Sequence, residues 1–161
     1  MHSADTKDSE MIAHLEDVIL QTVCRILVPF VQVYGLYVIA HGHHSPGGGF
    51  QGGVILGSSF ILLCLAYDIN EAKKRMTEKL CTVYCSVGLI VYSGIGVICL
   101  VLGGNYLNYS RLARFLPVNP VEARSLGILG VEIGVGITVM AVMVSLFLDL
   151  ASGGEHEEGL R

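Results

Sequence analysis

Apolar residues in this chain gather into four long runs. They do not alternate as in strands, nor form the one-sided stripe of a surface helix. The runs cover residues 18–40, 50–67, 80–102 and 126–150. Each approaches or exceeds the roughly 20 residues a helix needs to cross the hydrocarbon of a bilayer. Short alternating segments are absent, so a membrane β-barrel is not expected. The pattern predicts an all-α integral membrane protein with four transmembrane helices, residues 1–161 forming a single membrane domain. Residues 1–17 read as a polar lead-in, in which Met11, Ile12 and Leu15 share one helical face. The acid-leaning start and the late first apolar run do not suit a secretory signal. Asn119, Pro120 and Glu122 read as N-cap, N1 and N3 of the last helix.

Composition agrees with this pattern. Hydrophobic residues make up 52% of the 161 positions and charged residues only 15%, against about 25% in an ordinary soluble domain. The net charge is −4 with ten basic residues, so no basic face exists to hold nucleic acid. With an even number of spans, both termini and the loop after the second run lie on one side. That side carries Lys7, Lys73, Lys74, Arg75, Lys79 and Arg161, whereas the other carries Arg111, Arg114 and Arg124. The positive-inside rule then predicts cytoplasmic termini and an outward-facing glycine-rich loop between helices 1 and 2. The setting expected is multi-pass in the cell's inner (cytoplasmic) membrane. Cys24, Cys64, Cys81, Cys85 and Cys99 all fall in or beside apolar runs. Cys81 and Cys85 share a helix face, but no second pair completes a metal site, so small packing residues are the expected reading.

The most informative stretch is His41-Gly42-His43-His44-Ser45-Pro46-Gly47-Gly48-Gly49-Phe50-Gln51-Gly52-Gly53. Ser45-Pro46 is expected to break the first helix, and the glycines permit backbone angles and approaches that a Cβ forbids. The second run spans about 27 Å as a helix, slightly less than a ~30 Å core. Residues 47–49 are therefore expected to dip to membrane depth, where irregular backbone must be buried or line a wet cavity. A tight turn serving helix packing is the alternative.

Together with Tyr34-Gly35-Leu36-Tyr37-Val38-Ile39 ahead of it, this stretch resembles the MnhB-like subunits of the Mrp-type (Mnh) multisubunit sodium/proton antiporters. The same module occurs in Mrp-derived parts of membrane-bound hydrogenases and related respiratory complexes. Gly130-Val131-Glu132-Ile133-Gly134-Val135-Gly136-Ile137-Thr138 is similar to that family's last helix, and the likeness covers roughly residues 25–147. His44 departs from it, standing where an apolar residue is expected. The resemblance implies a small membrane subunit of a cation/proton antiporter or related respiratory complex, contributing to ion translocation or assembly. Its implied partners are other antiporter-type membrane subunits, including large proton-channel-like ones, or hydrogenase and other redox subunits, all within the lipid bilayer. A purely structural scaffold and an independent small transporter are the rival readings.

Several polar residues inside the runs are candidates for chemistry. Glu132 lies six residues past Leu126, about 9 Å into the apolar run. An ionisable group there is costly and usually faces a bundle interior or a water path. A protonated and an ion-bound state would suit an antiport route; a hydrogen-bonded structural acid is the alternative. Gly130 and Gly134 form a small-xxx-small pair on another face of that helix, and either face could be the internal one. His41 and His43 stand at the outer end of the first helix as proton-relay candidates, with loop hydrogen bonding or weak metal binding as alternatives. Gln51 is a further pathway candidate, more simply a loop-bonding residue. Pro46, Gly47, Gly48, Gly49, Gly52 and Gly53 form the structural loop. Arg25 is an intramembrane charge about 10 Å along the first span. Its expected separation in height from Glu132 is about 10 Å, given a ~30 Å core, too far for a direct ion pair. It is expected to snorkel to the cytoplasmic interface near Asp17 or Asp149, or to meet a carboxylate of another subunit. No metal or cofactor is expected in this subunit beyond a transported sodium ion or proton. With no nucleotide loop, nucleophile elbow or redox-ligand set, an intrinsic enzyme is not expected.

Overall fold

The computed structural model describes residues 2–42, 46–67, 77–114 and 117–151, with side chains from residue 18 onward. Helix α1 runs His2–Ala40, α2 Gly49–Tyr67, α3 Glu78–Val101 and α4 Pro120–Ala151. A short 3-10 helix, Tyr109–Arg114, lies between α3 and α4. Four segments are long and apolar enough to cross a membrane: Val18–Ala40, Gly49–Tyr67, Glu78–Val101 and Pro120–Ala151. The chain is thus all-helical among the described residues, as the four runs predict.

One boundary departs from the sequence pattern, whereas the end of α1 at Ala40 and the start of α4 at Pro120 fall where the first run and the Asn119-Pro120-Glu122 cap put them. The polar lead-in belongs to the same helix as the first span, since α1 begins at His2. At its other end α1 stops at Ala40, ahead of Ser45-Pro46. There the Gly42 amide donates to the Ile39 carbonyl at 3.3 Å, a tightened final turn. Helix α4 starts at Pro120, well before its apolar run. Proline's missing amide costs nothing in a first turn, and the Ala123 amide donates to the Asn119 carbonyl at 2.9 Å.

The helices stand in the order α1, α2, α4, α3. Helix α2 packs on α1 and α4, α3 packs on α4, and α1 meets α4 only slightly. The α2–α4 pair is parallel, whereas α1–α2 and α3–α4 are antiparallel. In lipid no hydrophobic force draws apolar helices together, so contact depends on close backbone approach at small residues. On α2, Gly49, Gly53 and Gly57 face Glu132, Gly136 and Met140–Met143 of α4, both helices advancing about four residues at a time. On α3, a Cβ at Gly88 would stand 2.5 Å from the Gly134 carbonyl oxygen, and one at Gly134 would stand 2.9 Å from that of Gly88.

Side chains close the two ends of this arrangement. Cys64, Cys81, Val144 and Leu148 form a buried cluster toward one end. Cys81 is therefore a packing residue in this fold. Cys99, Leu112 and Ala123 form a second cluster beneath the 3-10 helix, whose Tyr109 ring lies over Gly127. Exposed hydroxyls on the spans satisfy themselves locally: Thr82, Ser86 and Ser93 each donate to the carbonyl four residues earlier, at 2.6–3.0 Å. Such back-bonding makes a hydroxyl tolerable against hydrocarbon.

The α3–α4 contact yields a paired expectation. Gly88→Leu should destabilise the purified protein by about 1–3 kcal/mol, the usual cost of overpacking. Gly94→Ala should be neutral or slightly stabilising, because nothing lies within 4 Å of a Cβ there. Thermal unfolding of the two variants in one detergent checks the difference.

Candidate ion-pathway site

The site grows from the turn between α1 and α2. Its two limbs touch: a Cβ at Gly42 would stand 2.5 Å from the Gly48 Cα. Gly48 has φ +139°, a conformation that side chains rarely adopt. Gly49 then opens α2 directly against the backbone carbonyl of Glu132, leaving no room for any Cβ. That contact brings the turn level with Glu132, about 9 Å inside the apolar run of α4. Gly48 and Gly49 are buried, so this irregular backbone is covered by protein at membrane depth.

The Glu132 carboxyl seats on the pinch. Oε2 points at Gly42, and Oε1 would lie 3.0 Å from a Cβ at Gly48. Oε2 is closed to solvent, with less than 1 Å² accessible. The first turn of α2, which starts at Gly49, stands beside this group, and a helix N-terminus is an electropositive neighbour. The Gly52 amide donates to the Gly48 carbonyl at 2.9 Å, which ties the turn to the start of α2.

The other candidates divide by position. Gly49 and Gly53 lock α2 to α4, while Gly52 packs on α1 against Ile39 and the Gly35 carbonyl. Gly47 lies beneath Gln51, whose Oε1 would be 3.4 Å from a Cβ there; Gln51 and Pro46 are exposed. His41 is exposed beside the pinch, its ring stacked on Tyr37 at a centroid distance of 4.2 Å. His43 lies outside the described residues, as do His44 and Ser45.

Arg25 is remote from this site. Helix α1 ends at the level of Glu132, so the 15 residues from Arg25 to Ala40 separate them by about 22 Å. That is twice the height difference expected from the apolar runs, because the turn dips while α4 extends beyond it. Both faces of α4 in question are internal. Glu132 and Gly136 meet the α1–α2 side, whereas Gly130 and Gly134 meet Ile95 and Gly88 of α3. Sequence reasoning misses Gly42 as a neighbour of the carboxyl. Its only signal is a glycine directly after the helix's last residues, where a capping role would look the same.

Gly49→Ala should separate α2 from Glu132 and lower stability by about 1–3 kcal/mol. Gly47→Ala should cost much less, since the nearest atoms to a Cβ there, at 3.3 and 3.4 Å, belong to side chains of Val38 and Gln51 that can give way. Melting curves of the two variants test this ordering.

Comparison with known proteins places this chain in a family. Residues 19–145 match the family described as a domain related to the MnhB subunit of Na+/H+ antiporter. A protein of Staphylococcus haemolyticus (strain JCSC1435), named "Putative antiporter subunit mnhB2", is 34% identical over 140 residues, covering 85% of this chain and 96% of that relative. A protein of the same name from Staphylococcus aureus (strain Newman) is 30% identical over 138 residues, with the same shares covered. With the family match spanning most of the chain and all four membrane-crossing helices in place, this multi-pass membrane protein belongs to the MnhB family.

Proposed function

We propose that Glu132 is an ion-accepting station on the outward-facing route of a multisubunit Na+/H+ antiporter. Membership in the MnhB family makes the chain a membrane subunit of such an antiporter. The observation that carries the site reading is the solvent-closed Glu132 carboxyl seated between Gly42 and Gly48 at the start of α2. A structural acid would need only its hydrogen bonds. This one also stands beside the N-terminus of α2, whose dipole favours an anion. The carboxyl would take up a proton or a sodium ion and release it as neighbouring groups change their charge. Exposed His41, one residue before Gly42, stands where a proton leaving the pinch would pass, and His43 follows it in sequence.

Glu132→Gln keeps the shape and removes the titration. In the assembled complex, sodium/proton exchange should fall at least about tenfold, the lower end of what a proton-transfer group contributes being larger still. Subunit composition should be unchanged. Full exchange activity in an intact Glu132→Gln complex would leave only a scaffold role.

The orientation follows from charge. The termini and residues 68–79 face the cytoplasm and the α1–α2 turn faces outward, in the cell's inner membrane. An Asn105→Cys variant, at an exposed position between α3 and α4, should react with an impermeant maleimide from outside the cell. Protection of that cysteine in intact cells would reverse the topology. The relatives' names favour other antiporter subunits as partners. Hydrogenase or iron–sulfur chains co-purifying with this one would instead place it in a redox-driven pump.

A further inference from the structure

Helix α1 carries a polar line that the Glu132 site does not use. Arg25, Gln32 and Ile39 are seven residues apart, so they lie along one stripe of the helix. At its upper end Ile39 is buried, wedged between Gly52 of α2 and Gly136 of α4. Seven residues down Gln32 is half-buried, and seven further Arg25 is exposed. Since α1 meets α4 only slightly, the stripe opens progressively away from Ile39, as the wall of a cleft would.

This wall suits hydrocarbon poorly. Pro29 has no N–H to give to the carbonyl of Arg25, four residues before it. A guanidinium, an under-bonded carbonyl and a primary amide thus share one side of a span. A lipid phosphate can reach a cation near the interface, but Gln32 lies about 21 Å along the helix from Val18. That depth is beyond headgroups and within the region where amides bond to other helices. Asp149 of α4 follows Leu148, which packs with Cys64 and Cys81 in the α2–α3–α4 cluster.

We propose that the Ile39–Gln32–Arg25 side of α1 is the docking surface for a transmembrane helix of another subunit of the assembly. That helix carries a carboxylate level with Arg25 and a hydrogen-bonding side chain level with Gln32. Charge complementarity selects this occupant over an apolar helix, and the depth of Gln32 selects it over a lipid headgroup. The proposal needs the multisubunit setting but not ion transfer at Glu132, so the two readings fail separately.

The test uses the intact complex with all its subunits co-expressed. A Gln32→p-benzoylphenylalanine variant is irradiated in the membrane and its adduct mapped by mass spectrometry. The expected product joins position 32 to a membrane span of a co-purifying subunit that bears Asp or Glu about one or two turns away. Arg25→Leu, which favours membrane insertion and so should not impair folding, is expected to reduce recovery of that subunit about thirtyfold or more, as loss of one partner of a buried charge pair does. Arg25→Glu combined with Arg at the mapped carboxylate should restore it. Lipid adducts alone at position 32, or unchanged recovery of every subunit with Arg25→Leu, would overturn the proposal.

Discussion

The contact on which this fold depends is that of Gly49 with the backbone carbonyl of Glu132. Between lipid-facing helices the hydrophobic effect offers little, and attraction comes from dispersion over closely matched surfaces. Dispersion falls steeply with distance, so a single Cβ at such a point holds two helices apart along much of their length. With no Cβ at Gly49, α2 and α4 pass backbone to backbone. The same register repeats at Gly53 with Gly136 and at Gly57 with Met143. One contact therefore sets which helices are neighbours, how deep the turn sits and where the carboxyl is enclosed.

Structure and chemistry are joined at that point. An intramembrane carboxyl is expensive when charged. Here the close approach that orders the helices also closes Oε2 to solvent and sets the first turn of α2 beside the group. The glycines leave no side chain between the carboxyl and the backbone of the turn.

Much of this is legible in the sequence, and the exceptions are instructive. The four spans follow from run length, because hydrocarbon thickness imposes a count that soluble folds do not have. Glu132 stands out for the same reason, as the acid deep inside the fourth run, Asp149 standing at its edge. The dip of residues 47–49 is foreshadowed by the shortness of the second run. What stays hidden are contacts between distant segments. Nothing local to Gly42 says that it meets a glutamate 90 positions later in the chain. The height of Arg25 is misjudged when run boundaries are taken as one common level. In the fold, α4 begins at Pro120 and rises about 18 Å above Glu132, while α1 ends beside it. Register between helices is a property of two surfaces, and one sequence segment states only half of it.

The arrangement of helices has a further consequence. In a closed bundle each helix buries one side and polar groups can gather at the centre. The order α1, α2, α4, α3 instead leaves α1 and α3 with one packed neighbour each among the described residues. Large apolar side chains such as Phe30, Val33 and Ile90 suit a lipid boundary on those flanks. Thr22, Thr82, Ser86 and Ser93 suit it too, since each returns its proton to its own helix. Arg25 and Gln32 have no such device, for a guanidinium and a primary amide carry more donors than one helix can absorb. The described helices leave Gln32 half-buried and Arg25 exposed. Both lie on α1 below Ile39, whose side chain packs between Gly52 of α2 and Gly136 of α4, so the polar line of α1 begins where this stripe's packing between those helices ends.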